Sequence, residues 1–188
     1  MRIVGGNLKG RALLGPDSSH TRPTSDRVRE SIFNILAHGV SDFEMQGQRV
    51  LDVFAGTGAL GLEALSRGAK FCQFVEESAQ ARAVIRSNAE ALGVTGLCKI
   101  WRRDATNLGS CLPQAPFGLV FCDPPYGKNL GALALNALVG RAWLSSSAIV
   151  VLEESRTAKL PGVGGLTRFD QREYGDTQAV FYRVNSPL

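Results

Sequence analysis

The feature that most constrains the fold is an alternation of short apolar runs with helical segments between residues 49 and 152. Five runs have the length and composition of strands, at 49–54, 71–75, 98–102, 117–122 and 148–152. Apolar residues recur with helical spacing over 60–67, from 81 to 92 and over 130–144. Strands too apolar to have a solvated face imply a mostly parallel sheet covered on both sides. We therefore predict an α/β, Rossmann-like fold.

The N-terminal part of the chain departs from this alternation. Residues 1–21 are rich in Gly, and two β-prone stretches flank a turn, which predicts a small hairpin. An amphipathic helix follows, with Ser25 or Asp26 able to cap its start. Its predicted apolar face carries Val28, Ile32, Ile35 and Leu36. We interpret residues 1–40 as an appendage to a main domain at 41–188.

The C-terminal part also differs. Segments 168–174 and 178–184 are joined by Gly175-Asp176-Thr177, whose turn chemistry predicts an antiparallel hairpin that closes the sheet.

The composition excludes several classes of protein. No run of 18 apolar residues occurs, which rules out a transmembrane helix, and the N-terminus lacks the apolar stretch of a secretory signal. We expect a cytoplasmic protein. Its four cysteines are scattered and contain no C-x-x-C pair, so we expect reduced thiols, no disulfide and no zinc. The two histidines, His20 and His38, have no metal-ligand spacing, so we expect no metal.

Positive charge is concentrated at the N-terminus. The whole chain has a net charge of +4, of which residues 1–36 carry +3, with six Lys/Arg against three Asp/Glu. A basic hairpin and helix can engage phosphates without reading sequence. The alternative is an ordinary solvated surface. The residues that we predict to contact RNA are Arg2, Lys9, Arg11, Arg22, Arg27 and Arg29.

A glycine-rich turn between the first predicted strand and the next helix indicates a nucleotide-like cofactor. Gly56, Gly58 and Gly61 have the spacing G-x-G-x-x-G, which lets the backbone approach a ligand at a helix N-terminus. Glu76 ends the next strand, where an acid commonly binds ribose hydroxyls. A structural role for the glycines alone is the alternative.

The sequence Asp123-Pro124-Pro125-Tyr126 follows the fourth predicted strand, where open α/β sheets bind ligands. The prolines fix the backbone and leave main-chain carbonyls without local N–H partners. The Asp123 side chain and the Pro124 carbonyl are then two acceptors for an exocyclic amine, and Tyr126 offers a face for stacking a base. The alternative is a surface turn, because Asp-Pro-Pro is turn-prone.

These motifs resemble those of a known family. The run from Val50 to Gly58 is similar to the first motif of class I S-adenosylmethionine-dependent methyltransferases, and Asp123–Tyr126 is similar to their motif for methylating exocyclic or amide nitrogens. The segments 22–31 and 59–68 resemble the RsmD family of bacterial 16S ribosomal RNA guanine-N2 methyltransferases. The likeness extends over nearly the whole chain and shows no departure at the catalytic positions.

The resemblance implies S-adenosylmethionine as cofactor and 16S ribosomal RNA, within an assembly intermediate, as partner of a monomer. It also implies a role for individual residues. Asp123, Pro124 and Tyr126 would be catalytic. Because their loop is short and rigid, Arg22 and Thr24 are alternatively expected to line the cofactor or base pocket instead of binding RNA. Asp52, Ala55, Gly56 and Gly58 would meet the methionine part of the cofactor, Glu76 the ribose, and Asp104 with Ala105 the adenine.

Four other functions share part of these features. A DNA adenine-N6 or cytosine-N4 methyltransferase shares the Asp123–Tyr126 chemistry, but 188 residues leave little room for target recognition. Protein-glutamine methyltransferases usually carry Asn at the position of Asp123. A nicotinamide-dependent dehydrogenase gives Asp123–Tyr126 no role. A non-catalytic RNA-binding module would not need an intact cofactor loop.

Overall fold

The computed structural model describes residues 1–15, 25–160 and 162–185. The strands are β1 (Arg49–Val53), β2 (Phe71–Val75), β3 (Cys98–Trp101), β4 (Phe117–Cys122), β5 (Leu144–Ser155), β6 (Leu166–Tyr174) and β7 (Thr177–Val184). The helices are α1 (Asp26–His38), α2 (Ala59–Ser66), α3 (Ala79–Leu92) and α4 (Leu130–Gly140), with a 3₁₀ helix at Thr95–Leu97. The strands form one seven-stranded sheet in the order β3-β2-β1-β4-β5-β7-β6.

The sheet is parallel from β3 to β5, and β7 lies antiparallel between β5 and β6. The predicted α/β fold, with a mostly parallel sheet and a C-terminal antiparallel hairpin, is therefore confirmed. Because β1 to β5 point the same way, their C-terminal ends meet at one edge of the sheet, which we call the carboxyl edge. The opposite edge is called the amino edge. Ligands of open α/β sheets bind at the carboxyl edge.

Helices cover both faces of the sheet. Ile32 of α1, Leu62 of α2 and Ile85 of α3 belong to one buried cluster on the first face. On the second face, Leu135 of α4 packs in another cluster with Val120 of β4. Burial on both faces explains why the central strands read as continuous apolar runs.

The boundary between α4 and β5 differs from the prediction. The helix ends at Gly140 rather than at residue 144, and the strand begins at Leu144 rather than at 148. Ala142 adopts a left-handed conformation with φ 59°, which breaks the helix before the buried ring of Trp143. The sequence did not indicate the start of β5, because the serines there are polar and are only partly buried or exposed.

The N-terminal segment shares the core of the sheet. A single antiparallel bridge joins Arg2 to Ala12, which confirms a minimal hairpin, and Ile3 and Leu13 are buried in the cluster that contains α1. The described part of residues 1–40 is thus packed against the sheet of the main domain.

Glycine is required where the hairpin meets α2. A Cβ on Gly5 would lie 2.2 Å from the Arg67 guanidinium, and one on Gly6 would lie 2.0 Å from the carbonyl oxygen of Ser66. Gly6 also has φ +75°, which other residues rarely adopt. The hairpin turn is therefore seated tightly on the C-terminal end of α2.

Within the described ranges, none of the helices is long and apolar enough to cross a membrane. The same residues contain no group of His, Cys, Asp and Glu that could hold a metal ion. Cys72, Cys111 and Cys122 are buried and Cys98 is half-buried, and burial raises the pKa of all four thiols.

Candidate active site

The glycine-rich loop turns the chain from β1 into α2 at the carboxyl edge. Gly56 and Gly58 have φ values of +54° and +76°, and the N–H of Gly58 donates to Ala55 at 2.7 Å. A Cβ on Gly56 would meet open space, so the loop presents bare backbone at that point. A Cβ on Gly61 would lie 2.4 Å from the ring of Phe74, so this third glycine lets α2 pack on β2. The spacing thus serves both ligand approach and helix packing.

Glu76 fixes the loop to the end of β2. Its Oε2 accepts from the N–H of Gly56 at 2.9 Å, and its Oε1 accepts from the N–H of Ser78 at 2.8 Å. A carboxylate has about four lone-pair sites, so capacity remains for the hydroxyls of a ribose. The main-chain carbonyls of Glu76 and Glu77 both accept from Arg82, but the Glu77 side chain is exposed and has no hydrogen bond to the loop among the described residues. The geometry favours Glu76 over Glu77 as the ribose ligand.

Asp52 supports the loop from below. Its side chain is buried, and Oδ2 accepts from the N–H of Gly61 in the first turn of α2 at 2.9 Å. A direct contact with a ligand, as predicted, does not fit this burial. We interpret Asp52 as a residue that positions the loop. Burial, only partly offset by the Gly61 hydrogen bond and reinforced by the charge of Glu76, raises its pKa to about 8.

This raised pKa predicts a dependence of stability on pH. The folded protein keeps the Asp52 proton to about pH 8, whereas the unfolded chain releases it near the ordinary value of 3.8. The unfolded state then binds fewer protons, so stability falls as pH rises between these values, by up to about 1.4 kcal/mol per unit. Asp52→Asn keeps an acceptor for Gly61 and should remove this loss. Urea unfolding of parent and variant from pH 5 to 9 measures it, and parallel curves would contradict the assignment.

Asp104 lies just beyond β3 at the same edge. Its Oδ1 accepts from the N–H and the hydroxyl of Thr106, at 2.8 and 2.7 Å, and the side chain is exposed. Ala105 is buried. One carboxylate oxygen thus shapes a turn, and an adenine contact from this side chain remains a prediction.

The Asp123-Pro124-Pro125-Tyr126 segment follows β4. Asp123 is half-buried, and its N–H lies 3.5 Å from the carbonyl oxygen of Val53, at the end of β1. The order of the sheet therefore places Asp123 directly beside the start of the glycine-rich loop. The Asp123 carboxylate and the glycine-rich loop therefore lie side by side at the point where the strand order reverses. Ligands of such sheets bind at this point.

Tyr126 is anchored by a residue that the sequence analysis missed. Its hydroxyl donates to Oε1 of Glu153 at 3.1 Å, and Glu153 is buried at the end of β5. Burial and the charge of Glu153 raise the pKa of Tyr126, so its hydroxyl remains a donor. The ring is 37% exposed and held in place, as a stacking platform requires.

Asn88 is a second residue that the sequence analysis missed. It is buried on α3, and its Nδ2 donates to the carbonyls of Thr57 and Leu14 at 3.1 and 3.2 Å. Its Oδ1 accepts from the N–H of Leu14 at 2.7 Å. The Asn88 side-chain amide thus joins the glycine-rich loop to the N-terminal segment.

The basic residues of the N-terminal segment do not share one surface. Lys9 is exposed in the turn beside Ser66, and Arg11 donates to the carbonyl of Ala91. Because α2 and α3 begin at the carboxyl edge and run back, Ser66 and Ala91 lie toward the amino edge. Lys9 and Arg11 are therefore on the side away from Asp123.

The prediction that Arg29 contacts RNA is wrong. Its side chain is fully buried and pairs with Asp26 at 2.8 Å, so it cannot reach a phosphate. Arg2 and Arg27 are exposed at the same end of α1, and Arg2 lies 3.7 Å from Asp26. Arg22 and Thr24 lie outside the described residues. For Arg2 and Arg27, contact with RNA stays a prediction.

Comparison with known proteins identifies the family of this chain. The family model described as conserved hypothetical protein 95 matches residues 1–183. The YlbH protein of Bacillus subtilis is 35% identical over 186 residues, which cover 97% of this chain and 98% of that protein. Ribosomal RNA small subunit methyltransferase D of Escherichia coli is 38% identical over 165 residues, which cover 87% of this chain and 79% of that protein.

The solved structure of the yhhF protein of Escherichia coli superimposes with a TM-score of 0.85 at 32% identity, and the match covers 100% of this chain and 99% of that one. The fold is that of class I methyltransferases. The matched range of the family model contains both the glycine-rich loop and Asp123–Tyr126. The chain therefore belongs to the RsmD family of methyltransferases.

Proposed function

We propose that this protein transfers a methyl group from S-adenosylmethionine to the exocyclic N2 of a guanine in 16S ribosomal RNA, as a cytoplasmic monomer acting on an assembly intermediate. The observation that carries the proposal is the position of Asp123 and Pro124 beside the glycine-rich loop at the carboxyl edge. The name of the Escherichia coli relative, a methyltransferase of small-subunit ribosomal RNA, supports the class of substrate.

The residues at this edge fit S-adenosylmethionine. Gly56 offers open backbone, and Glu76 has acceptor capacity for a ribose. The cofactor site also includes Ala55, Gly58 and the turn at Asp104–Ala105. Asp52 holds the glycine-rich loop in place. When bound, the cofactor supplies an electrophilic methyl group on a sulfonium.

The protein's contribution is to hold and polarise a poor nucleophile. The lone pair of a guanine N2 amine is delocalised into the ring. The Asp123 carboxylate and the Pro124 carbonyl can accept its two N–H groups, which fixes the nitrogen and favours a pyramidal geometry. These acceptors also stabilise the positive charge that develops on the nitrogen, so positioning and electrostatics supply the acceleration. As the N–C bond forms, the S–C bond breaks and S-adenosylhomocysteine leaves, and the nitrogen then gives up one proton to Asp123 or to water. Tyr126, held by Glu153, provides a face against which the guanine stacks.

Mapping of modified nucleosides tests the function directly. Purified protein, S-adenosylmethionine and small-subunit particles from cells that lack the protein should yield N2-methylguanosine at one position of 16S RNA, detected by mass spectrometry. A methylated adenine or cytosine in place of guanine would assign a different exocyclic amine. The absence of any methylated nucleoside, with cofactor binding intact, would refute the proposal.

A second experiment tests the cofactor site. Glu76→Ala removes a carboxylate from both the ribose and the Gly56 N–H, and losing such charge-assisted bonds costs about 1.5–3 kcal/mol. Affinity for S-adenosylmethionine, measured by calorimetry, should fall roughly ten- to a hundredfold. Glu77→Ala is the matched control and should bind as the parent does. Equal affinities for Glu76→Ala and the parent would remove Glu76 from the site.

A further inference from the structure

A cavity of about 200 Å³ opens next to the catalytic segment, on the face of the sheet that α4 covers. Gly127, the residue directly after Tyr126, lines it, together with Asn129, Ala132 of α4 and the segment that follows β5. Pockets for drug-sized molecules hold roughly 300–1,000 Å³, so this cavity suits a single ring system. Because Gly127 directly follows Tyr126, the cavity adjoins the catalytic segment.

The lining of the cavity combines a carboxylate, an aromatic residue and apolar side chains, which suits a polar aromatic ligand. Glu154 is buried there, and Oε2 of its carboxylate accepts from the N–H of Ser155 at 2.9 Å, which leaves Oε1 with acceptor capacity. The ring of Tyr182 forms part of the wall, and Leu152 and Leu135 supply apolar surface. An acceptor, an aromatic ring and apolar walls together match a nucleobase.

Asn129 adds a donor at the rim. It stands at the N-terminus of α4 with φ 55°, a left-handed conformation that is uncommon outside glycine. Its side chain does not cap the helix, although capping is the usual role of Asn at that position. Asn129 lines the cavity, and its side-chain amide is not used by the helix, so it is available to a ligand.

Positive charge surrounds the opening. Lys159 lines the cavity, and Lys128 lies between two lining residues, Gly127 and Asn129. Both lysines are exposed, and no carboxylate among the described residues lies within 4 Å of either ammonium group. Two unpaired cations around a base-sized cavity suit a nucleotide with its flanking phosphates.

We infer that this cavity is a subsite for the nucleotide next to the target guanine, with its base inside and its phosphates against Lys128 and Lys159. The inference rests on the proposed function, since it takes RNA as substrate. It places the RNA chain across the loops that follow β4 and β5, on the side of the sheet opposite the N-terminal hairpin. The hairpin would then contribute less to binding than its charge suggests.

The base contact is tested by filling the cavity. Ala132→Leu adds volume from a lining position, and Ala137→Leu makes the same change on α4 outside the lining. Binding of a short single-stranded 16S RNA fragment is measured by fluorescence anisotropy with S-adenosylhomocysteine present. Ala132→Leu should weaken binding about tenfold, the scale of one lost base–aromatic contact, and Ala137→Leu should not.

Two further RNAs complete a comparison of protein variant against RNA variant. They are the same fragment with an abasic site on the 5′ side of the guanine, and the same fragment with an abasic site on its 3′ side. If the inference holds, Ala132→Leu has no further effect on one of these RNAs, because the missing base no longer competes for the cavity. An equal loss on intact and on both abasic RNAs would show that no base enters. Binding is read without methyl transfer, so failure to methylate counts against the proposed function only.

The phosphate contacts are tested by salt. Lys128→Gln combined with Lys159→Gln should flatten the slope of log affinity against log salt by about 1.4, since each single-strand phosphate contact contributes about 0.7. Lys70→Gln removes an exposed lysine just before β2, at the amino edge, and should leave the slope unchanged. A double variant with the slope of the parent would overturn the role of the two lysines.

Discussion

Asp123→Ala is expected to lower methyl transfer about a hundredfold or more, while the fold and the affinity for S-adenosylmethionine stay close to those of the parent. The reason is that its carboxylate is placed to bind the target amine, and removing a preorganised contact of this kind costs roughly two to three orders of magnitude in rate. Single-turnover rates at saturating RNA and cofactor isolate the chemical step. Calorimetry with cofactor alone measures the affinity.

Three further variants separate the possible roles of the catalytic segment. Asp123→Asn retains one acceptor oxygen and should lose less activity than the alanine variant. Tyr126→Phe retains the ring and removes only the hydrogen bond to Glu153, so its effect should be small compared with Tyr126→Ala. A single-turnover rate for Asp123→Ala equal to that of the parent would show that the amine is bound elsewhere.

Most of the fold could be predicted because its central strands are buried on both faces. The strands β2 and β4 have the predicted bounds, since no polar residue interrupts the signal at either end. The start of β5 could not be found, because its serines lie on the less buried part of a long strand. The helix α4 ends at Gly140, and glycine commonly ends helices, so this boundary had a signal that the prediction passed over. The left-handed conformation of Ala142 that follows is not signalled by its residue type.

In the candidate site, too, some residues could be predicted from the sequence and others could not. The glycines and Asp123 belong to short motifs in which the residue types alone indicate the function: glycines for close approach of a ligand, and a carboxylate as acceptor. The sequence was therefore sufficient to identify these residues. Glu153 and Asn88 were missed because both are buried polar residues, and a sequence pattern assigns such residues to the surface. Their roles depend on partners 27 and 31 residues away. Arg29 was misplaced for the same reason.

The packing of the N-terminal segment depends on a buried ionic network centred on Glu63. Its Oε1 accepts from Nε of Arg67 at 2.8 Å, and its Oε2 accepts from the N–H of Val4 at 2.8 Å. Oε2 also lies 3.7 Å from Nε of Arg29. Glu63 and Arg29 are both fully buried, so each charge depends on its partners for solvation.

Glu63→Ala should therefore lower the free energy of unfolding by about 3–5 kcal/mol, the usual cost of breaking a buried ion pair by removing one partner. Three groups lose their acceptor or counter-charge, namely the N–H of Val4, the guanidinium of Arg67 and Nε of Arg29, although Arg29 keeps Asp26. The exposed pair of Asp42 and Arg183, 4.0 Å apart, is the control, and Asp42→Ala should cost no more than about 1 kcal/mol. Urea unfolding at pH 7 compares the two variants. Equal losses would mean that the network contributes no more than a surface ion pair, and that apolar packing of Ile3 and Leu13 alone holds the N-terminal segment on the sheet.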